Sequence, residues 1–339
     1  MDLGNQAKES SLLEHRNGLA EMNVRLAKIA IAQTVSQVVW TMRGKKKFIG
    51  KKIPVLAYHR VLPDFAENET PMYSVLPEQF GEQMKYLADN GFKSLSLDEY
   101  DEIMRGERDV PERAVMITFD DGYADIYSIA MPIAKYYCLK LNVFICTGFI
   151  AFDKAFIYPE TPLHAFNHYE SHPDWWRPLS WQEIKTMREA GMGIGFHGHT
   201  HRKIGHLSTI EIHREFEKGL QLYTENLGAD CRYFAFPNGT ADSYDETSVA
   251  IARHYGMQRL FTTRLKRTSV DAGEQLISRL TIHQEDDLES FKLKLYGAYD
   301  WLGALRHLGQ LGKASPQRNF SEVSLSRKLQ AEKVAGGRR

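Results

Sequence analysis

Cysteine is scarce in this 339-residue chain: Cys138, Cys146 and Cys231 are too few for a disulfide framework and lack the close spacing of a zinc knuckle. A reducing compartment fits best. Long apolar runs are missing too. Charged residues make up 25% of the chain, and no uncharged stretch approaches the ~20 residues that span a bilayer, which excludes a polytopic membrane protein. The first residues lack the basic start of a secretory signal, since Asp2, Glu9 and Glu14 stand where Lys or Arg belongs, so export by that route is not expected. No His-Glu-x-x-His helix is present, which sets aside the metalloprotease type of zinc site. Net charge is also absent, with 43 Lys+Arg against 43 Asp+Glu.

What is present is enough apolar material, 43% of the chain, for one large or two ordinary domains. The zero net charge conceals an asymmetry: residues 1–52 and 303–339 each net +6, leaving residues 53–302 at −12. Two basic ends on an acidic body point to an anionic surface near the termini rather than to a nucleic-acid groove. From Val24 to Met42 apolar residues recur at helical spacing (Ile31, Val35, Val38, Val39, Met42), and Arg43, Lys45, Lys46, Lys47, Lys51 and Lys52 follow at once. Two readings stand side by side: an interfacial helix on anionic lipid, each lysine adding roughly 1 kcal/mol, or an amphipathic helix packed on its own domain. Residues 312–339 read as a loose basic tail.

Between the ends, short apolar runs alternate with amphipathic stretches. The sequence predicts strands over residues 53–58, 114–119, 142–147, 193–196, 232–236, 259–263 and 276–282. Helices are predicted over 79–90, 123–137, 180–190, 208–226, 244–255 and 291–301, with Ser180 and Glu183 spaced as a capping box. An aromatic insertion, Phe149 to Leu179, holds Trp175 and Trp176 and reads either as a sugar-stacking wall or as core cover. Repeated strand–helix–strand order without hairpin signals means parallel pairing, as an α/β barrel or a wound sheet, with the site at the C-terminal strand ends.

Those ends carry the polar groups: His59-Arg60, Asp120-Asp121-Gly122, His197-Gly198-His199-Thr200-His201 and Pro237-Asn238-Gly239. Adjacent carboxylates on an extended strand point to opposite sides, so one can ligate a metal while the other faces another part of the cavity. Imidazoles at i and i+4 in a turn can meet a carboxylate of an adjacent strand, which gives a two-histidine, one-carboxylate site with a position open to water. His199 is an alternative to His197 or His201 by proximity.

These residues, in this order, resemble the polysaccharide deacetylase family, the chitooligosaccharide deacetylase-like carbohydrate esterases with a NodB homology domain, from about Ile53 to at least Thr263. Thr118-Phe119-Asp120-Asp121-Gly122 looks like the family's T-F-D-D-G signature, and the match implies Asp120 as catalytic base and Asp121 as metal ligand. The 197–201 segment is similar to H-[S/T]-x-x-H and implies His197 and His201 as the other ligands, with Gly198 departing from Ser or Thr. The segment from Arg232 to Gly239 looks like the third motif, but Ala235 stands where many members have an arginine, so Arg279 on a late strand is the candidate to hold Asp120. The segment from Pro54 to Val61 resembles the permuted first strand of the exopolysaccharide-modifying branch, which makes His59 the proposed general acid and His283 its competitor. The family's Asp-Trp motif is not recognisable here.

The resemblance implies a distorted, seven-stranded (β/α) barrel over residues 53–302 and a hydrolase that removes N-acetyl groups from a glycan or its lipid-linked precursor. It implies a divalent metal, zinc first, with cobalt, nickel or iron also suited to such ligands. The alternatives are hydrolysis of another non-peptide C–N bond, such as a cyclic ureide, and a non-catalytic glycan-binding module. Without an export signal, a cytoplasmic setting with inner-membrane contact through residues 1–52 is the expectation. No nucleic-acid partner is expected, and the oligomeric state is not legible.

Overall fold

The computed structural model describes residues 34–36, 38, 52–63, 73–150, 173–264, 266–270 and 276–300. The basic tail, residues 151–172 of the aromatic insertion and nearly all of the N-terminal segment lie outside the described residues, although Thr34–Ser36 and Val38 are helical.

Eight stretches form the wall around the site: β1 (Val55–Tyr58), β2 (Ala114–Phe119), β3 (Asn142–Ile145), β4 (Gly193–Phe196), β5 (Tyr233–Ala235), β6 (Arg259–Thr262), β7 (Leu276–Ser278) and β8 (Leu280–Thr281). Their spatial order is β7-β6-β5-β4-β3-β2-β1-β8, with parallel pairing throughout. One residue, Arg279, separates β7 at one edge from β8 at the other, so the sheet is carried round into a nearly closed α/β barrel. The single strand expected over 276–282 is therefore two strands, broken where the chain passes from pairing with β6 to pairing with β1. Lys93–Ser94 adds a short branch on β2.

Helices α1 (Pro77–Asp89), α2 (Leu97–Met104), α3 (Met131–Tyr136), α4 (Trp181–Glu189), α5 (Thr209–Leu227), α6 (Glu246–His254) and α7 (Leu288–Leu295) accompany the strands. Local chemistry sets their ends. Ser180–Glu183 and Ser208–Glu211 make reciprocal capping boxes, and Gly228, at φ 63°, closes α5 in the left-handed conformation that glycine adopts without a steric penalty. None of the helices among the described residues is long and apolar enough to cross a membrane.

Strand alternation sorts the core. Val115, Ile117 and Phe119 join the large cluster that includes the helix faces, whereas Ala114 and Met116 join a second cluster with Val55, Phe144, Ala235, Phe261 and Ile277, drawn from strands all round the sheet. That second cluster is the barrel's interior floor. Continuing the same parity, Thr118 and Asp120 follow Met116 inward, His59 follows Val55 and Ala57, and Arg279 follows Ile277. Gly195 is required on β4 because a Cβ there would lie 2.4 Å from the Phe144 ring that fills the floor. Trp176, in the described end of the insertion, is buried, so at that position core cover is the correct reading.

Candidate metal centre and active site

Asp120 lies just beyond β2, its N–H bonded to the Tyr58 carbonyl at 3.0 Å, so the β1–β2 ladder sets its height. Arg279 reaches it from the strand break. Nη1 donates to Oδ1 at 2.6 Å and Nη2 to Oδ2 at 2.7 Å, while Nε donates to the Thr262 carbonyl at 3.3 Å. Both side chains are buried. Burial pushes the Asp120 carboxyl up, but the Arg279 charge, with those of His197 and His59, outweighs it and holds the group below its ordinary value.

Asp121 departs from strand geometry. Its φ of 76° is left-handed, which a non-glycine residue holds only when its surroundings impose it. The expectation that the two carboxylates diverge is therefore wrong: the turn swings Asp121 back to the side Asp120 already faces. Asp121 Oδ1 lies 3.5 Å and Asp120 Oδ2 3.8 Å from the same atom, His197 Nε2. His201, also left-handed at φ 57°, brings Nε2 to 3.4 Å from Asp121 Oδ1. A second expectation also needs correction. The histidine and aspartate strands are not adjacent, because β3 runs between β2 and β4, and the side chains meet across the curved interior.

Asp121, His197 and His201 place one donor atom each within 4.8 Å of one another. Their residues fit a divalent cation on three counts. Asp121 Oδ1 is buried and has no hydrogen-bond partner among the described residues. Spacings of 3.4 and 3.5 Å match the edge of a tetrahedron whose metal–ligand bonds are about 2.0–2.2 Å. His197 Nδ1 pairs with the Ala235 carbonyl at 2.8 Å, which fixes the proton there and leaves the Nε2 lone pair toward the cluster. Burial pushes His201 down to about 4. Burial opposes protonation of His197 as well, but Asp120 and Asp121 outweigh it and raise its proton affinity.

His199 stays outside this cluster; its Nδ1 lies 3.4 Å from Thr147 Oγ1. The loop is held instead by Glu215 of α5, which accepts from the N–H groups of His199 and Thr200 at 2.9 Å each and from Thr200 Oγ1 at 2.5 Å. Sequence reasoning missed Glu215, although a carboxylate beside Ile212, Phe216 and Gly219 on a buried helical stripe was a signal. It supplies the bracing that Gly198, lacking a hydroxyl, cannot.

His59 leaves the β1 ladder on the interior side. Burial lowers its proton affinity, against the pull of Asp121 and Asp120. Its ring stacks on Tyr73 at 4.9 Å, and the other candidate acid, His283, lies 5.4 Å from the same tyrosine. Both histidines thus pack on one tyrosine, and the charge of His59 acts on both Asp120 and Asp121.

The molecule is an α/β barrel protein with a two-histidine, one-carboxylate centre beside an arginine-held carboxylate. Residues 107–260 match the family model described as polysaccharide deacetylase. The protein YxkH of Bacillus subtilis strain 168 is 25% identical over 231 residues, covering 68% of this chain and 71% of its own. The poly-beta-1,6-N-acetyl-D-glucosamine N-deacetylase of Staphylococcus aureus strain MSSA476 is 25% identical over 261 residues, covering 71% of this chain and 82% of that protein. In fold, the Streptococcus pyogenes deacetylase PplD, solved in complex with acetate, superposes with a TM-score of 0.60 at 22% identity, covering 72% of this chain and 98% of that one.

Proposed function

We propose that this protein is a polysaccharide deacetylase that removes N-acetyl groups from amino sugars of a glycan, of the poly-N-acetylglucosamine kind on which its Staphylococcus aureus relative is named to act. The observation that carries the reading is the convergence of Asp121, His197 and His201 on one point, with Asp120 Oδ2 at 3.8 Å from His197 Nε2. A divalent ion on those three groups, zinc by preference, would lower the pKa of a bound water toward about 7 and polarise the acyl oxygen.

The chain's own residues do the rest. Asp120, kept ionised by Arg279, accepts the proton of the attacking water as its oxygen bonds to the acyl carbon. His59 donates a proton to the amide nitrogen, the C–N bond breaks, and acetate and a free amino sugar result. Because burial lowers the proton affinity of His59, a proton carried there is readily given up. Arg279 bonds both oxygens of Asp120, whose Oδ2 stays 3.8 Å from His197 Nε2 at the edge of the ligand cluster.

Acetate release from poly-β-1,6-N-acetylglucosamine, with and without chelation and with Asp120→Asn, tests the proposal. Loss of release in both cases is expected. Turnover of a cyclic ureide with no release from any N-acetylated glycan rejects it. The +6 charge of residues 1–52 supports contact with an anionic inner leaflet; liposome flotation that is unchanged on deleting residues 1–50 refutes that part.

A further inference from the structure

The proposed acid has an unusual mooring. His59 Nδ1 is buried and has no hydrogen-bond partner among the described residues, so among these none holds that nitrogen in the way usual for a histidine that transfers protons. The backbone also changes sheet at this residue. The β1 ladder ends at Tyr58, and Arg60–Val61 pairs with Ser74–Val75 instead of with β2. His59 is therefore held from one side by the barrel and from the other by whatever fixes Arg60 and Val61.

Besides the pairing with Ser74–Val75, one buried carboxylate grips both residues. Asp125 lies four residues beyond Asp121. Its Oδ1 accepts from Arg60 Nε at 3.2 Å and Nη2 at 3.1 Å, and its Oδ2 accepts the Val61 N–H at 2.8 Å. The Arg60 guanidinium lies 3.9 Å over the Tyr123 ring, and Nη2 also donates to the Trp175 carbonyl. The 177–179 segment is stitched to the same turn through Ala124 N–H to the Arg177 carbonyl and Leu179 N–H to the Gly122 carbonyl. Yet the pair is not fully satisfied, since Arg60 Nη1 is buried with no hydrogen-bond partner among the described residues. A buried ion pair with a spare donor is a poor source of net stability compared with an apolar pair of the same volume; what it supplies is one allowed register between two segments.

We propose that Asp125 is a positioning residue that, through Arg60 and Val61, locks His59 at a fixed distance from Asp120 and Asp121. The inference rests on the reading of His59 as general acid. Asp125 touches no reacting atom; it acts on the amide reaction alone, because only a poor leaving group needs a placed proton donor.

The test compares two substrates in the metal-loaded full chain: an N-acetylated glycan, whose amine must be protonated, and an activated aryl acetate, whose phenolate leaves unassisted. Asp125→Asn is expected to lower kcat on the glycan by about 100-fold, the cost of a misplacement near 1 Å, with KM and the aryl ester rate changed less than threefold. His59→Ala should shift the glycan-to-ester ratio in the same direction, and adding Asp125→Asn to His59→Ala should lower the glycan rate no further. Equal loss on both substrates, or an undiminished Asp125 effect in the His59→Ala background, overturns the inference while the acid assignment stands. An unchanged ratio in His59→Ala removes the acid assignment and the inference together. If Asp125→Asn does not fold, Arg60→Lys, which keeps the charge but loses the fork, is read by the same ratio.

Discussion

Replacing Arg279 by methionine removes a fully buried guanidinium bonded to both oxygens of Asp120 while keeping much of the side-chain volume. In the native protein the Asp120 carboxyl ionises below its ordinary value, so the pair contributes stability above the unfolded-state pKa of about 3.9 and loses it only as pH falls through the lower folded value. In the variant the sign reverses. A buried carboxylate stripped of its cation takes up a proton. Holding it neutral at pH 7, against an unfolded chain that ionises near 3.9, costs at most about 4 kcal/mol, within the roughly 3–5 kcal/mol typical of a broken buried pair. At pH 5 the same penalty is about 1.5 kcal/mol. Lost packing adds an amount that does not depend on pH. The stability gap between the native protein and Arg279→Met should therefore narrow by up to about 2.7 kcal/mol between pH 7 and pH 5. Urea unfolding in chelator at both pH values measures it. Combining Arg279→Met with Asp120→Asn should give a gap that is the same at both, and deacetylation by Arg279→Met at pH 7 should fall at least about 100-fold, because the base is already protonated. A gap for the single variant that does not change with pH would refute the reasoning.

Asp121→Ala, His197→Ala and His201→Ala should each lose bound zinc after loading and desalting, measured by elemental analysis, whereas His199→Ala, whose ring faces Thr147, should retain it; retention by all four contradicts the site. Glu215→Gln should weaken metal affinity about 10–100-fold in competition with a chelating dye, since the loop loses its carboxylate brace; unchanged affinity would mean that the loop is held by other contacts. His59→Ala should lower glycan deacetylation by about 10²–10⁴-fold and His283→Ala by less than threefold, and the opposite order would move the acid role to His283. Gly195→Ala, placing a Cβ 2.4 Å from the Phe144 ring, should destabilise by about 1–3 kcal/mol in thermal unfolding, and an unshifted Tm would show that Phe144 can give way.

Most of the element order was readable in the chain because its signals are local. Ser180–Glu183 and Ser208–Glu211 announce helix starts within four residues, and the alternation along 114–120 by itself puts Asp120 on the inward parity. The helix Leu97–Met104, not among the predicted helices, carries the same kind of local signal in its Ser96–Glu99 box. The family motif supplied the aspartates and histidines as names in order. Their arrangement was another matter. The direction of Asp121 depends on a left-handed turn that alternation forbids, and its meeting with His197 depends on barrel curvature across an intervening strand.

The remaining parts of the site are contacts between residues remote in the chain, which no short-range pattern encodes. Arg279 and Asp120 are 159 positions apart, and they pair because the last strand breaks at the residue where the barrel closes. Arg60 meets Asp125 across 65 positions, and Glu215 reaches back 16 to brace the histidine loop. Sequence by itself determined which strands and helices form and which way most side chains face, since backbone sterics and capping act between near neighbours. Only the closed sheet decided which charges meet, because burial turns a long-range encounter of ions into a fixed pair and leaves every other arrangement with an unpaired charge away from water.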